Sequence, residues 1–490
     1  MKINKPLCEA VFKYEKEKVY PLHTPGHKGG RGMEKSLLAA LGKRAAGIDV
    51  SLMSELDDLH CPEGCLREAQ ALAAELYGSD RCFFAVNGTT GAIHAMLISS
   101  LNPGEKVLIP RNAHRSVAGA LIIGGIDPVF LTPGYDNFFG ISTQVSLQAV
   151  KQALEADNTI KAVLLTSPNY YGLTADLKAI AEITHKHGAV LLVDEAHGAH
   201  LGFSKVLPSS ALQCGADACA QSTHKTLGAL TQCSMLHVQG ERIDLKKAAA
   251  AMSLLTSTSP NYLLMTSLDA ARAQLAEKGA EMAEAALTVA ERLRESLRSI
   301  EGLEILDARI LRRREIAAFD GTKVTVNVTG LGITGIEAGE ILRENGLAVE
   351  LVDRNNVLFL LTYADDNEEI NSIINKIKEI FQKIKKQNKP ILPSSANVEM
   401  PLAQQVLTPR RAFYADAEDV AFCEAVGRVS AEQISFYPPG IPVIIPGELV
   451  TKDILTYCQR MLALGLPVSG PQDGTLGKIQ VVKQLHKVCL

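Results

Sequence analysis

The chain is predicted to be an α/β protein built on a largely parallel sheet, and three observations predict it. From about residue 67 to 240, short apolar runs alternate with helix-patterned segments, the sequence form of strands joined by crossover helices. Runs such as Ala189-Val190-Leu191-Leu192-Val193 are continuously apolar, as in strands covered on both faces. At 490 residues, 47% hydrophobic and 21% charged, the chain has a globular composition and is too long for a single core.

Taken in order, residues 1–60 hold a helical stretch and a glycine- and histidine-rich loop, Leu22 to Gly30. Strands are predicted at Cys82–Val86, Lys106–Ile109, Pro128–Leu131, Ala162–Leu165, Ala189–Val193, Ala218–Gln221 and Ser234–Val238, with helices between them such as Asp176–His187. Residues 261–300 are alanine-rich and helical. A smaller α+β region follows, with strands near Val324–Val328 and Val357–Leu361 and a charged helix near Asn367–Lys385. This divides the chain into an N-terminal segment (1–60), a large domain (61–260), a helical connection with a small α+β domain (261–385), a linker (386–395) and a Pro- and Gly-rich C-terminal domain (396–490).

Composition excludes several function classes. A net charge of -4 does not fit a nucleic-acid-binding surface. No apolar run reaches membrane-span length, and Met1-Lys2-Ile3-Asn4-Lys5 lacks a signal-peptide core. Ten scattered cysteines read as reduced thiols of a cytoplasmic protein. Cys61 and Cys65 have no second pair beside them, so no metal site is expected.

The chemistry is carried by two short segments. Asp194 closes the apolar run in Asp194-Glu195-Ala196-His197-Gly198, and Lys225 follows another strand in Ser222-Thr223-His224-Lys225. A lysine at one strand end and an aspartate at another is what pyridoxal phosphate (PLP) needs: an amine for the covalent link and an anion to hold the pyridine nitrogen protonated. A DEAH-type NTPase would need a GxxxxGK[ST] loop, and the chain has none. The segment Asn87-Gly88-Thr89-Thr90-Gly91 follows a strand and opens a helix predicted over Ala92–Leu101. Free N–H groups and hydroxyls there can bind the phosphate, although threonine is also an ordinary helix cap. His114, after the next strand, is either a ring that stacks flat on the pyridine or a loop or helix-cap histidine.

With those residues placed, the chain resembles the bacterial ornithine/lysine/arginine decarboxylases of PLP fold type I, the aspartate-aminotransferase-like fold. It is most similar to the short Gram-positive-type arginine decarboxylases, which lack an N-terminal wing domain. The segments that carry the resemblance are His23-Thr24-Pro25-Gly26-His27-Lys28-Gly29, Leu56-Asp57-Asp58-Leu59-His60, Gly88–Gly91, Pro110–His114, Asp194–Gly198, Ser222–Lys225, Glu424–Arg428 and Tyr437–Pro442 through Pro446-Gly447-Glu448. The chain departs at Thr24, where isoleucine is common, and at Thr90, where serine is common.

The resemblance implies decarboxylation of a basic amino acid, arginine first and lysine or ornithine second, in polyamine biosynthesis. It implies Lys225 as the imine lysine, Asp194 as the pyridinium partner and His114 on the ring. Thr89, Thr90, Ser222 and His224, with Gly88, would hold the phosphate, and His197 would lie near the ring's oxygen side. It also implies a homodimer with sites at the interface, which the hydroxyl-rich stretch Leu255–Pro260 would reach from the neighbouring subunit. The loop Gly26–Gly32 lacks the preceding strand of a dinucleotide fingerprint. It is expected near the site, with His27 toward substrate, or else as an ordered surface turn. Glu448 is the candidate partner for the substrate's distal cation, a carboxylate expected near the pocket mouth, with an exposed turn acid as the plain alternative.

Three other functions fit parts of the pattern. An aminotransferase could share the fold. A non-catalytic PLP-binding regulator would carry a basic helix-turn-helix, and residues 1–60 show none. A metal hydrolase built on His185, His187, His197 and His200 fails because His185 and His187 are two apart on a helix, on different sides.

Overall fold

The computed structural model describes residues 3–392, 400–436 and 440–483. Tyr437, Pro438 and Pro439 of the proline-rich segment lie outside them, as does the end of the linker. All seven predicted strands form, as Arg81–Ala85, Lys106–Pro110, Asp127–Leu131, Ile160–Thr166, Val190–Asp194, Ala218–Gln221 and Ser234–Val238. The chain falls into two compact units, residues 1–100 with 190–282 and residues 101–189 with 283–490.

In the first unit the strands lie in the order Arg81–Ala85, Ser234–Val238, Ala218–Gln221, Val190–Asp194. The last two are parallel, with Asp194 opposite Ala220. Ser234–Val238 runs antiparallel to both its neighbours, with Ser234 opposite Ala85 and Met235 opposite Gln221. The carboxyl ends of three strands and the first residue of the fourth therefore share one sheet edge. The helix after Arg81–Ala85 is Gly88–Ser100. It starts four residues before the predicted Ala92, so Gly88-Thr89-Thr90-Gly91 forms its first turn. Ala92, Ile93, Ala95, Met96 and Leu97 are all buried, the mark of a helix without a water-facing side. The N-terminal helix Pro6–Glu17 buries Leu7, Cys8, Val11 and Tyr14. Its first-turn amides at Leu7 and Cys8 donate to Asp269 Oδ2 at 3.1 and 3.3 Å, which satisfies two of the donors a helix start leaves open. The helix Tyr262–Arg298 is interrupted at Lys278 by a φ of -130° and ψ of 17°.

In the second unit, Lys106–Pro110 lies between Ile160–Thr166 and Asp127–Leu131, parallel to both. A four-stranded antiparallel sheet, in the order Glu304–Ile305, Lys323–Asn327, Asn356–Leu360, Leu351–Val352, packs with the helices Gly335–Glu344 and Ile370–Lys385 around Val324, Val326, Leu342, Val357, Ile377 and Phe381. Ile370, Ile374, Ile377, Phe381 and Ile384 recur at helical spacing and are buried, so the charges of that helix face water. The C-terminal part has its own core of Phe422, Ile434, Val443, Ile454, Cys458 and Ile479. Among the described residues no helix is long and apolar enough to cross a membrane.

Candidate active site

Asp194 is the last residue of an entirely buried strand, and its Oδ1 accepts from the Ala196 amide at 3.2 Å. Burial pushes its carboxyl above the ordinary value, and the nearby charge of Lys225 draws it back down. One strand over, Ala218–Gln221 ends and Ser222 begins the short helix Thr223–Thr226 that carries Lys225. Lys225 Nζ lies 2.9 Å from His197 Nε2. An ammonium has donors only, so the imidazole accepts through Nε2 and keeps its proton on Nδ1. His224 is held from the other side, its Nδ1 donating to Cys233 O at 2.7 Å.

The hydroxyls converge on the first turn of the helix Gly88–Ser100. Thr89 Oγ1 is hydrogen-bonded to Ser222 Oγ and, at 2.8 Å, to Ser234 Oγ. Thr90 is exposed on the same turn. Gly88 has φ +65°, and a Cβ there would meet nothing within 4 Å, so the helix start is open to a ligand. These residues fit PLP: an amine beside a buried carboxylate, and hydroxyls at a helix N-terminus for a phosphate.

The structure thus brings Lys225, Asp194, His197, Ser222, His224, Gly88, Thr89 and Thr90 into the first unit, on or next to one sheet edge. His27 is in that unit but engaged elsewhere: its Nε2 lies 3.1 Å from Asp49 Oδ2 and its Nδ1 accepts from the Gly30 amide at 3.1 Å. His114 is in the second unit and caps the helix Arg115–Gly124. Its Nδ1 accepts from the Ser116 amide at 3.2 Å, the capping role weighed above.

Glu448 corrects the expectation of a carboxylate at a pocket mouth. It is fully buried, with Oε2 accepting from Arg111 Nη2 at 2.9 Å and from the Ile445 amide at 2.8 Å. Arg111 and the Ile445 amide both engage Oε2, while the buried Oε1 has no hydrogen-bond partner among the described residues. The turn acid is buried because it closes onto the strand end that carries Arg111, a contact without local sequence signal.

Sequence reasoning missed three groups. Ser234 supplies a third hydroxyl only because its strand runs in reverse. Glu195 and Gln221 are buried and joined to each other at 2.8 Å. Polar residues at strand ends next to the lysine and aspartate were the available hint. The second unit also holds a cavity of about 550 Å³, walled in part by Tyr171, Asp353, Arg354, Phe436 and Tyr457. Among the described residues no three His, Cys, Asp or Glu gather as a metal site would require.

Comparison with known proteins agrees with this fold. Residues 5–369 match the family described as Orn/Lys/Arg decarboxylase, major domain, and residues 394–468 match its C-terminal domain. The chain is 40% identical to an arginine decarboxylase of Bacillus subtilis, covering 98% of each chain. It is 41% identical to one of Bacillus anthracis, covering 99% of this chain and 98% of that one. Among solved structures, a lysine decarboxylase of Francisella novicida superposes with a TM-score of 0.84 at 24% identity, over 98% of this chain and 82% of the other. A serine palmitoyltransferase of Sphingomonas wittichii shares the fold more loosely, with a TM-score of 0.52 at 16% identity over 66% of this chain and 77% of the other.

Proposed function

The chain belongs to the Orn/Lys/Arg decarboxylase family, and from that premise we propose that it removes CO2 from L-arginine to give agmatine, with PLP carried on Lys225. The observation that carries the reading is the edge where Lys225, with His197 2.9 Å away, neighbours the buried Asp194 and the hydroxyls of Thr89, Ser222 and Ser234. Arginine is favoured because relatives matched along almost their whole length are named arginine decarboxylases.

When bound, PLP supplies the electron sink for the bond that breaks. The chain's own residues do the rest. Asp194, whose carboxyl is raised by burial and drawn back down by the Lys225 charge, would supply the anion for the pyridine nitrogen. Thr89, Thr90 and Ser222 would hold the phosphate at the positive end of a 13-residue helix, and Ser234, whose hydroxyl donates to Gln221 O, would hold the Thr89 hydroxyl in place. Lys225 would carry the cofactor on its amine, and its hydrogen bond to His197 gives a path for a proton between Nζ and Nε2.

We also place the protein in the cytoplasm, in polyamine synthesis, and as a homodimer. Free cysteines support a reducing compartment. Exposed Tyr20, Leu22 and Leu254 in the first unit, with exposed Ser257, Thr258 and Ser259 close in sequence to Leu254, support a self-association surface. The test is a substrate panel. PLP-loaded protein is given arginine, lysine or ornithine separately, and CO2 and amine are measured. Agmatine as the fastest product is the expected result. Faster cadaverine or putrescine would replace arginine with lysine or ornithine, and a keto acid would turn the assignment to aminotransfer.

A further inference from the structure

Glu195 directly follows Asp194 and has no part in the chemistry above. Its side chain is fully buried. The carboxylate gathers donors from separate stretches: the Ala211 amide to Oε1 at 2.7 Å, Gln221 Nε2 to Oε2 at 2.8 Å, and the Cys219 thiol. Its own amide donates to Ala220 O at 3.0 Å. Gln221 is the last residue of its strand and precedes Ser222, on which the Lys225 turn is built. The carbonyl of Gln221 in turn accepts from Ser234 Oγ at 2.6 Å, the hydroxyl that meets Thr89. A buried carboxylate is costly unless its donors are all in place, so Glu195 and the strand ends around it hold one another in a single arrangement.

We infer that Glu195 is a positioning residue: by joining the end of the Asp194 strand to Gln221 it sets the placement of Asp194 and Lys225 relative to each other. The inference rests on Lys225 carrying the cofactor. Glutamine can preserve the join. Its Oε1 accepts from the Ala211 amide, and its Nε2 donates to Gln221 Oε1 once that amide turns over. Turning it breaks no other bond, because Gln221 Oε1 has no hydrogen-bond partner among the described residues. Alanine preserves neither contact.

The experiment uses full-length wild type, Glu195→Ala, Glu195→Gln and Gln221→Met, with PLP as the ligand. Borohydride trapping of wild type followed by peptide mass spectrometry comes first; trapping away from Lys225 would refute the functional reading independently of Glu195. Each variant is then assayed at 25 °C for PLP affinity by equilibrium dialysis and for the pH midpoint of the visible absorbance of lysine-bound PLP. Glu195→Ala and Gln221→Met should weaken PLP binding by at least about tenfold, the scale of outer-shell positioning partners at metal sites, and should displace the midpoint. Glu195→Gln should recover most of both. Folded Glu195→Ala with wild-type affinity and midpoint would overturn the inference. So would unfolding of both Glu195→Ala and Gln221→Met, since the carboxylate would then hold the unit together instead of aiming two side chains.

Discussion

Arg111 and Glu448, 337 residues apart, form one buried ion pair, with Nη2 2.9 Å from Oε2 and both side chains almost wholly out of water. Arg111 also donates to Val443 O at 2.8 Å and lies over the Phe130 ring at 4.8 Å. Burial raises the Glu448 carboxyl and the arginine charge opposes that rise. Such a pair adds little over an apolar one, but breaking it leaves a buried charge alone.

Glu448→Ala should therefore cost stability, about 3–5 kcal/mol, read as a lower urea midpoint. Glu448→Gln, which keeps an oxygen for Arg111, should fold and show an unchanged KM for arginine. A raised KM with wild-type stability would return Glu448 to the substrate.

Lys225→Ala should leave a folded protein that borohydride cannot link to PLP. Mass spectrometry of the treated wild type should find the cofactor on the Lys225 peptide. Cofactor on a different lysine would remove Lys225 from its role.

Asp194→Ala should still trap PLP on Lys225 while kcat falls by about 10²–10³, the scale of losing one preorganised electrostatic partner. The readout is single-turnover CO2 release. A rate within a few-fold of wild type would show that Asp194 does not hold the pyridine nitrogen.

The fold was legible and the site only partly so, for physical reasons. Seven strands appear where apolar runs predicted them because strand burial is written locally. The helix start was misplaced by four residues because glycine and threonine are weak helix formers, and here the turn is helical through tertiary packing. The burial of Glu448 had no local signal because its partner, Arg111, is remote in sequence. Ser234 was missed because nothing local announces that its strand runs in reverse.

Glu195 gives a pH dependence with a definite sign. Burial pushes its carboxyl from 4.5 up to about 7. A raised acid stabilises the fold below its unfolded value, and that contribution is lost as pH rises through the folded value. Glu195→Gln does not titrate, so its melting temperature relative to wild type should improve from about pH 5 to about pH 8. A constant difference across that range would mean that Glu195 keeps one charge state throughout.

The reversed strand Ser234–Val238 also bears on how the protein matures. Thr89, Ser222 and Ser234 are drawn from positions as much as 145 residues apart, and they meet only after this strand has inserted between Arg81–Ala85 and Ala218–Gln221. Contacts of such separation form late in folding. If this edge holds the cofactor's phosphate as proposed, the ligand should stabilise only chains in which the insertion is complete. Refolding with PLP present should then enrich subunits whose central strand has docked over those in which it has not, and an equal yield with and without PLP would refute this.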